Sequence, residues 1–185
     1  MSVPMPTPAD WDTWLAAHHA SAAEIWVRLY KKHSGTLSIT WEDGVIGALI
    51  WGWIDGQKMP LDDVSWLQRF TPRKPRSNWS VKNRSHAERL IAIGRMQPAG
   101  MAHVVAAQAD GRWDTAYPGS KDAVLPPDFL QALADNPALA DAFATWNAAN
   151  RFVVTYRLST ARTPATRAKR LAVILEKLAS GGRFH

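Results

Sequence analysis

At 185 residues, 46% hydrophobic and 21% charged, the chain has ordinary globular composition, which excludes wholesale disorder and allows one substantial core or one domain with a small appended subdomain. The absence of cysteine excludes disulfides, thiol catalysis and thiolate metal sites, and agrees with a reducing compartment. The net charge of +6 is unevenly held: residues 69–95 carry eight Lys/Arg against Glu88, and residues 151–185 eight against Glu176, so two blocks of +7 are carried by a remainder of −8.

The N-terminal stretch MSVPMPTPADWDTW has neither Lys nor Arg ahead of a hydrophobic run, and no run follows, so no signal peptide is expected. No stretch approaches the eighteen or so apolar residues of a membrane span. The expectation is a soluble cytoplasmic protein. Residues 8–21 predict a first helix, with Trp11, Trp14 and Leu15 at helical spacing and Asp10 and Asp12 near the start, where the dipole favours acids. Residues 24–31 alternate, Ile25, Val27 and Leu29 against Trp26, Arg28 and Tyr30, which predicts a strand. A turn at residues 33–35 precedes a helix capped by Thr40, with Glu42 and Asp43 in its first turn and Trp41, Val45, Ala48 and Leu49 along one side. Glycine between two indoles ends its definition at Trp51-Gly52-Trp53. Residues 54–59 predict a second strand, with Asp55-Gly56 as a tight turn in the alternative. A loop over 60–63 and a third strand over 64–71, stopped by Pro72, follow.

The segment PRKPRSNWS holds two prolines and reads as a basic loop feeding a helix. Ser80 is the favoured cap, with Ser85 and Glu88 as an alternative capping box, and the helix continues to Gly94. Pro98 opens a helix over 99–109, ended by Asp110 and Gly111. Residues 114–125 are polar, turn-rich and the best linker. Four helices follow: 126–134, 136–149, 152–158 and one opened by Thr163-Pro164 and stopped by Gly181-Gly182. In the last, Ala168, Leu171, Leu175 and Leu178 form the apolar stripe and Arg167, Arg170 and Lys177 face away. The expected fold class is α+β: a small, mainly antiparallel sheet packed by helices over residues 1–122, then a helical subdomain over residues 123–185.

Chemistry concentrates in residues 51–95, which hold four of the ten tryptophans and the first basic block. Cations crowded at a helix start oppose its dipole, and a bound anion reverses that sign. Trp51, Trp53, Gln57, Lys58, Arg69, Arg73, Trp79, Ser80, Asn83 and Arg84 are therefore the candidate lining of a Trp-lined basic cleft for an anionic small molecule. The alternative is a solvated basic surface. Asp55 follows a bulky apolar run, where burial would raise its pKa and suit it to general acid or base work; the plainer alternative is a turn aspartate, or one paired with Lys58 or Arg69. Neither His18 and His19 nor His33, His86, His103 and His185 match a metal spacing, so no metal is expected. With no GxSxG, P-loop or dinucleotide fingerprint, no cofactor is expected either. Basic residues interleaved with Trp66, Phe70 and Trp79 also fit nucleic acid, a reading not favoured because the acidic remainder repels phosphate and no nucleic-acid motif is present. A protein interaction module is the other non-enzymatic alternative.

Several motifs in order, WGWIDGQ (residues 51–57), RFTPR (69–73), SNWS (77–80), AERLI (87–91), GRMQPAGM (94–101), DGRWDTAY (110–117), LPPDFLQAL and TPATRAKRL, resemble the bacteriocin-protection family, YdeI or OmpD-associated. Ala165 stands where that pattern usually carries Glu. The resemblance implies a small C-terminal helical domain and a part in stress tolerance. It supplies no reaction, cofactor or catalytic residue.

Overall fold

The computed structural model describes residues 2–184; His185, weighed above as a metal ligand, lies outside them. The chain divides into two compact units, one of Met1–Ser77 with Asn83–Asp114, the other of Asn78–Lys82 with Thr115–His185.

The first unit is α+β. Strands β1 (Ser2–Pro4), β2 (Ile25–Tyr30), β3 (Trp53–Asp62) and β4 (Ser65–Pro72) form one sheet in the order β1-β2-β4-β3. Only the β1–β2 pair is parallel. Alternation in β2 sends Ile25, Val27 and Leu29 into the core at 5%, 0% and 0% exposure. Helices α1 (Pro8–His18) and α2 (Trp41–Ile50) supply the opposing layer, with Trp11, Leu15 and Ala48 meeting Trp53 and Phe70. Burying each large side chain stabilises the unit by roughly 1.5–3 kcal/mol. The Trp11 indole N–H donates to the Gly44 carbonyl at 3.0 Å, so this buried donor is satisfied. Both helices begin in capping boxes, Thr7 with Asp10 and Thr40 with Asp43.

Four local points are settled. β1 is three residues long, too short for any period to reveal. α1 stops at His18. β3 runs on through Pro60 to Asp62, because it is the sheet edge and an edge strand tolerates a missing N–H. Asp55-Gly56 accordingly lies within the strand, and the turn falls at Asp63 and Val64. Helices α3 (Val81–Ala92) and α4 (Pro98–Ala109) follow the basic loop, α3 starting directly after Ser80.

The second unit packs α5 (Pro127–Ala134), α6 (Pro137–Ala144), α7 (Ala148–Ser159) and α8 (Pro164–Ala179) around Phe129, Phe143, Trp146, Val154, Leu158, Ile174 and Leu178. The helix expected over 136–149 stops at Ala144, and the one expected over 152–158 already begins at Ala148, because the Asn147 side chain accepts from the Asn150 N–H and caps that start. In α8, Ala168 is exposed and the stripe is Leu171, Ile174, Leu175 and Leu178. Arg167 and Arg170 do not face away: Arg167 donates to the Leu158 carbonyl at 2.8 Å and Arg170 to that of Arg157 at 2.7 Å, neutralising the end of α7. Residues 78–82 join this unit through backbone bonds between Tyr117 and both Trp79 and Val81, each 2.9 Å. Among the described residues no helix is long and apolar enough to cross a membrane.

Candidate functional site

The basic loop after β4 supplies one wall of a pocket of about 330 Å³ in the first unit, within the usual range for ligand sites, lined by Pro75, Arg76, His103, Asp110 and Arg112 among others. Three local features hold it. The Arg73 N–H donates to the Gly52 carbonyl at 2.9 Å, fixing the loop entrance. Gly52 takes φ +75 and packs so close to α4 that an added Cβ would lie 2.8 Å from the Ala99 carbonyl oxygen and 2.9 Å from the His103 ring, so glycine here sets the imidazole's position. Beyond α4, Arg112 places Nε 2.8 Å from both Asp110 oxygens and donates from Nη1 to the Ser77 carbonyl at 2.7 Å, closing the loop against the helix end.

The electrostatics are one-sided. Arg73 and Arg112 are 4% and 7% exposed, unusual for guanidinium groups. Burial, then the charges of Arg73 and Arg112, hold the His103 imidazole below its ordinary 6.5, so the ring is neutral at pH 7. Arg76 adds a second cation to the lining at its rim, exposed, and is the one non-glycine residue of positive φ among those described, at +70. Asp110 is the single carboxylate of the lining. Two guanidiniums of the lining, Arg76 and Arg112, against one carboxylate leave a formal +1, with the Arg73 charge acting on His103 from outside the lining and Arg112 Nη2 making no hydrogen bond among the described residues. Charge-assisted hydrogen bonds from such groups to an anion are worth roughly 1.5–3 kcal/mol each.

Asp55 lies in a separate groove of about 370 Å³ in the same unit, with Trp41, Gly56, Lys58, Trp66 and Gln68. Asp55 and Lys58 are three residues apart and would point to opposite faces of a regular strand. A β-bulge between them restores the parity: Asp55 pairs with Phe70 and Lys58 with Gln68, both rows on the core-facing side. Gln68 fixes the bulge by donating to the Gly56 and Gln57 carbonyls at 3.0 and 3.3 Å. The Lys58 ammonium sits 4.7 Å from the Trp66 ring centre.

Within the first unit the remaining candidates are dispersed. Arg69 is on the opposite sheet face, paired with Glu24 through Nε at 2.8 Å, and not with Asp55. Trp53 is core at 1% exposure, its N–H given to the His19 carbonyl at 3.0 Å, and lines no open cleft. Trp51 packs on the His19 ring at 4.7 Å and donates to Asp12 at 2.8 Å. Trp79 is equally buried at 1% and belongs, with Ser80, to the second unit. Asn83 is half-buried in α3; Arg84 donates to the Trp113 carbonyl at 3.2 Å and lies 3.5 Å from Glu88. Gln57 contributes its carbonyl to Gln68, its side chain being exposed. His103 and Arg112 were missed by sequence reasoning. The signal for Arg112 was the DGR step, in which Gly111 at φ +77 turns the chain back so that Arg112 meets Asp110. No group of three His, Asp or Glu able to hold a metal occurs among the described residues.

Residues 3–103, just over half of the chain, match the family described as a domain of unknown function, DUF8412. Residues 122–181 match the family described as "Bacteriocin-protection, YdeI or OmpD-Associated", so the resemblance read from sequence holds over the C-terminal region. No curated protein and no solved structure matches the chain.

Proposed function

The chain belongs to the DUF8412 family, and we propose that it binds a small molecule bearing a phosphate, sulfate or carboxylate group in the pocket of Arg76, His103 and Arg112. The observation that carries this reading is the buried Arg112 guanidinium beside a neutral imidazole in a pocket with one carboxylate, with the buried Arg73 charge also acting on that imidazole. A buried cation costs several kcal/mol of desolvation, and an incoming anion recovers part of that cost without reorganising the site. Such binding stabilises the native state by about 2.7 kcal/mol at a hundredfold the dissociation constant. A stress-tolerance role for this binding is in keeping with the bacteriocin-protection description of residues 122–181.

Sulfate should raise Tm beyond chloride at matched ionic strength, a comparison that controls for general salt effects. Arg73 is too buried for a charge reversal to be readable, so the informative change is Arg76→Gly at the exposed rim. It should reduce the sulfate-specific increment, while Lys169→Ala, an equal charge change on an exposed helix position of the second unit, should not. Equal responses from both would remove the pocket from consideration.

A second reading, an enzyme acting on an anionic small molecule with Asp55 as general acid or base, is favoured by the bulge that turns Asp55 and Lys58 to one face. Asp55→Asn should then abolish turnover or a protection phenotype at nearly unchanged Tm; joint loss of Tm and phenotype would make Asp55 structural.

A further inference from the structure

A different cavity of about 410 Å³ in the first unit runs between α2 and α3 and is walled at one side by the start of α1. Its middle is apolar: Ile46 and Ile50 on α2 line it with Leu90 on α3 and Ile93 in the turn that follows, and Ile93 is 60% exposed. Its charged residues are two carboxylates and two guanidiniums, Asp12, Asp43, Arg89 and Arg95.

The backbone orders these charges. α3 runs in the same direction as α2, since His86 Nε2 lies 3.4 Å from Glu42 at the start of α2 and the Gln97 N–H donates to the Ile50 carbonyl at 3.2 Å at its end. Arg89, one turn beyond His86, therefore flanks the Asp43 end, and Arg95 the Ile50 end. Asp12 is at that second end too, because it accepts the indole N–H of Trp51, the residue after Ile50. Each end of the groove thus has one acid and one guanidinium. From Asp43 to Ile50 is seven residues, about 10 Å along a helix.

Neither Arg89 nor Arg95 makes a side-chain hydrogen bond or ion pair among the described residues, and both are exposed. The carboxylates are partly committed, Asp43 to the Thr40 cap through Oδ2 and Asp12 to Trp51 through Oδ1. A simple fatty or aromatic acid would meet a carboxylate at either end. A ligand of matching pattern has an apolar centre and opposite charges about 10 Å apart, the span of three extended residues at 3.3–3.6 Å each.

We propose that this groove binds a short apolar peptide of about three residues with free amino and carboxyl termini. The peptide amine takes the acid of one end, its carboxylate the guanidinium of the other, and its side chains cover Ile46, Leu90 and Ile93. Since both ends carry both signs, the charge pattern accepts either chain direction.

The test is calorimetric titration of the full chain with alanyl-leucyl-alanine and with its N-acetylated and C-amidated forms. The free peptide should bind saturably, and each cap should weaken it by about tenfold or more, the weight of one lost charge-assisted bond. Arg89→Gln and Arg95→Gln remove no contact of the fold, so each should keep the parent Tm and weaken the free peptide similarly. Arg76→Gly should leave peptide binding intact. The proposal fails if the free peptide gives no saturable heat, if both capped forms bind as tightly, or if the two glutamine variants bind like the parent. Loss of peptide binding in Arg76→Gly would place the peptide carboxylate in the anion pocket and overturn it equally.

Discussion

Arg76→Gly offers an unusual combination, a change expected to stabilise the protein while weakening its binding. Arg76 holds φ +70, a conformation that costs an L-residue about 1–2 kcal/mol relative to the right-handed region. Its side chain is exposed and makes no hydrogen bond or ion pair among the described residues, so little is lost from the folded state. Glycine takes the conformation freely, and its extra freedom in the unfolded chain returns roughly 0.4–1 kcal/mol. The net expectation is a gain of about 0.5–1 kcal/mol, which for a chain of this size is about 1–4 °C in Tm. Arg76→Ala is the matched control: it removes the same charge and keeps the strain. The glycine variant should therefore melt above the alanine variant, while both lose a similar part of the sulfate increment. Differential scanning calorimetry reads both quantities. If glycine melts at or below alanine, the left-handed residue is not strained, and the view of residue 76 as a conformation held for a rim cation is wrong.

Two further perturbations probe the fold that holds these sites. Gly100→Ala would put a Cβ 2.4 Å from the Ile50 carbonyl oxygen and 2.5 Å from that of Leu49, both backbone atoms that cannot swing away, and should destabilise by about 1–3 kcal/mol in urea melts. In the second unit, Arg167 grips Asp128 through Nε and Nη2 at 2.7 Å each, and these hydrogen bonds hold the Asp128 carboxyl below its ordinary 3.8. A lowered carboxyl pKa contributes stability that is complete above the ordinary value and lost as pH falls through the folded one. Asp128→Asn should accordingly cost about 1 kcal/mol or less at pH 7, since the pair is about a third exposed, and the deficit should shrink below about pH 4. A deficit unchanged at pH 3 would assign the effect to packing.

Much of the scaffold was legible because single residues carry its instructions. The alternation of Ile25, Val27 and Leu29 fixes which face of β2 is buried, and Thr40 and Thr163 cap the helices they precede. What was not legible depends on neighbours distant in sequence. β1 exists because β2 is there to pair with it, and Pro60 stays in a strand because no further strand follows β3 at that edge. The same holds for the sites. Arg73 could be picked out as a cation in a proline loop, but its burial was not legible, and the His103 it acts on and the Arg112 that acts on the same ring come from α4 and from a turn some forty residues on. The tryptophans misled for a related reason: an indole beside glycine and charged residues looks like a cleft wall, yet Trp53 faces the core through the pleat of β3. The grouping of Asp55 with Lys58 required a bulge that no residue announces.

The most direct measurement is calorimetric titration of the full chain with sulfate at pH 8 and at pH 6. Burial and two guanidiniums lower the His103 pKa, and an anion beside the ring raises it again, so binding takes up protons where the bound imidazole titrates. Saturable binding that tightens as pH falls, with the pH dependence lost in His103→Gln, is the expected result. No saturable heat at either pH, or binding equally strong in a double Arg76→Gly/His103→Gln variant, would contradict anion recognition at this pocket.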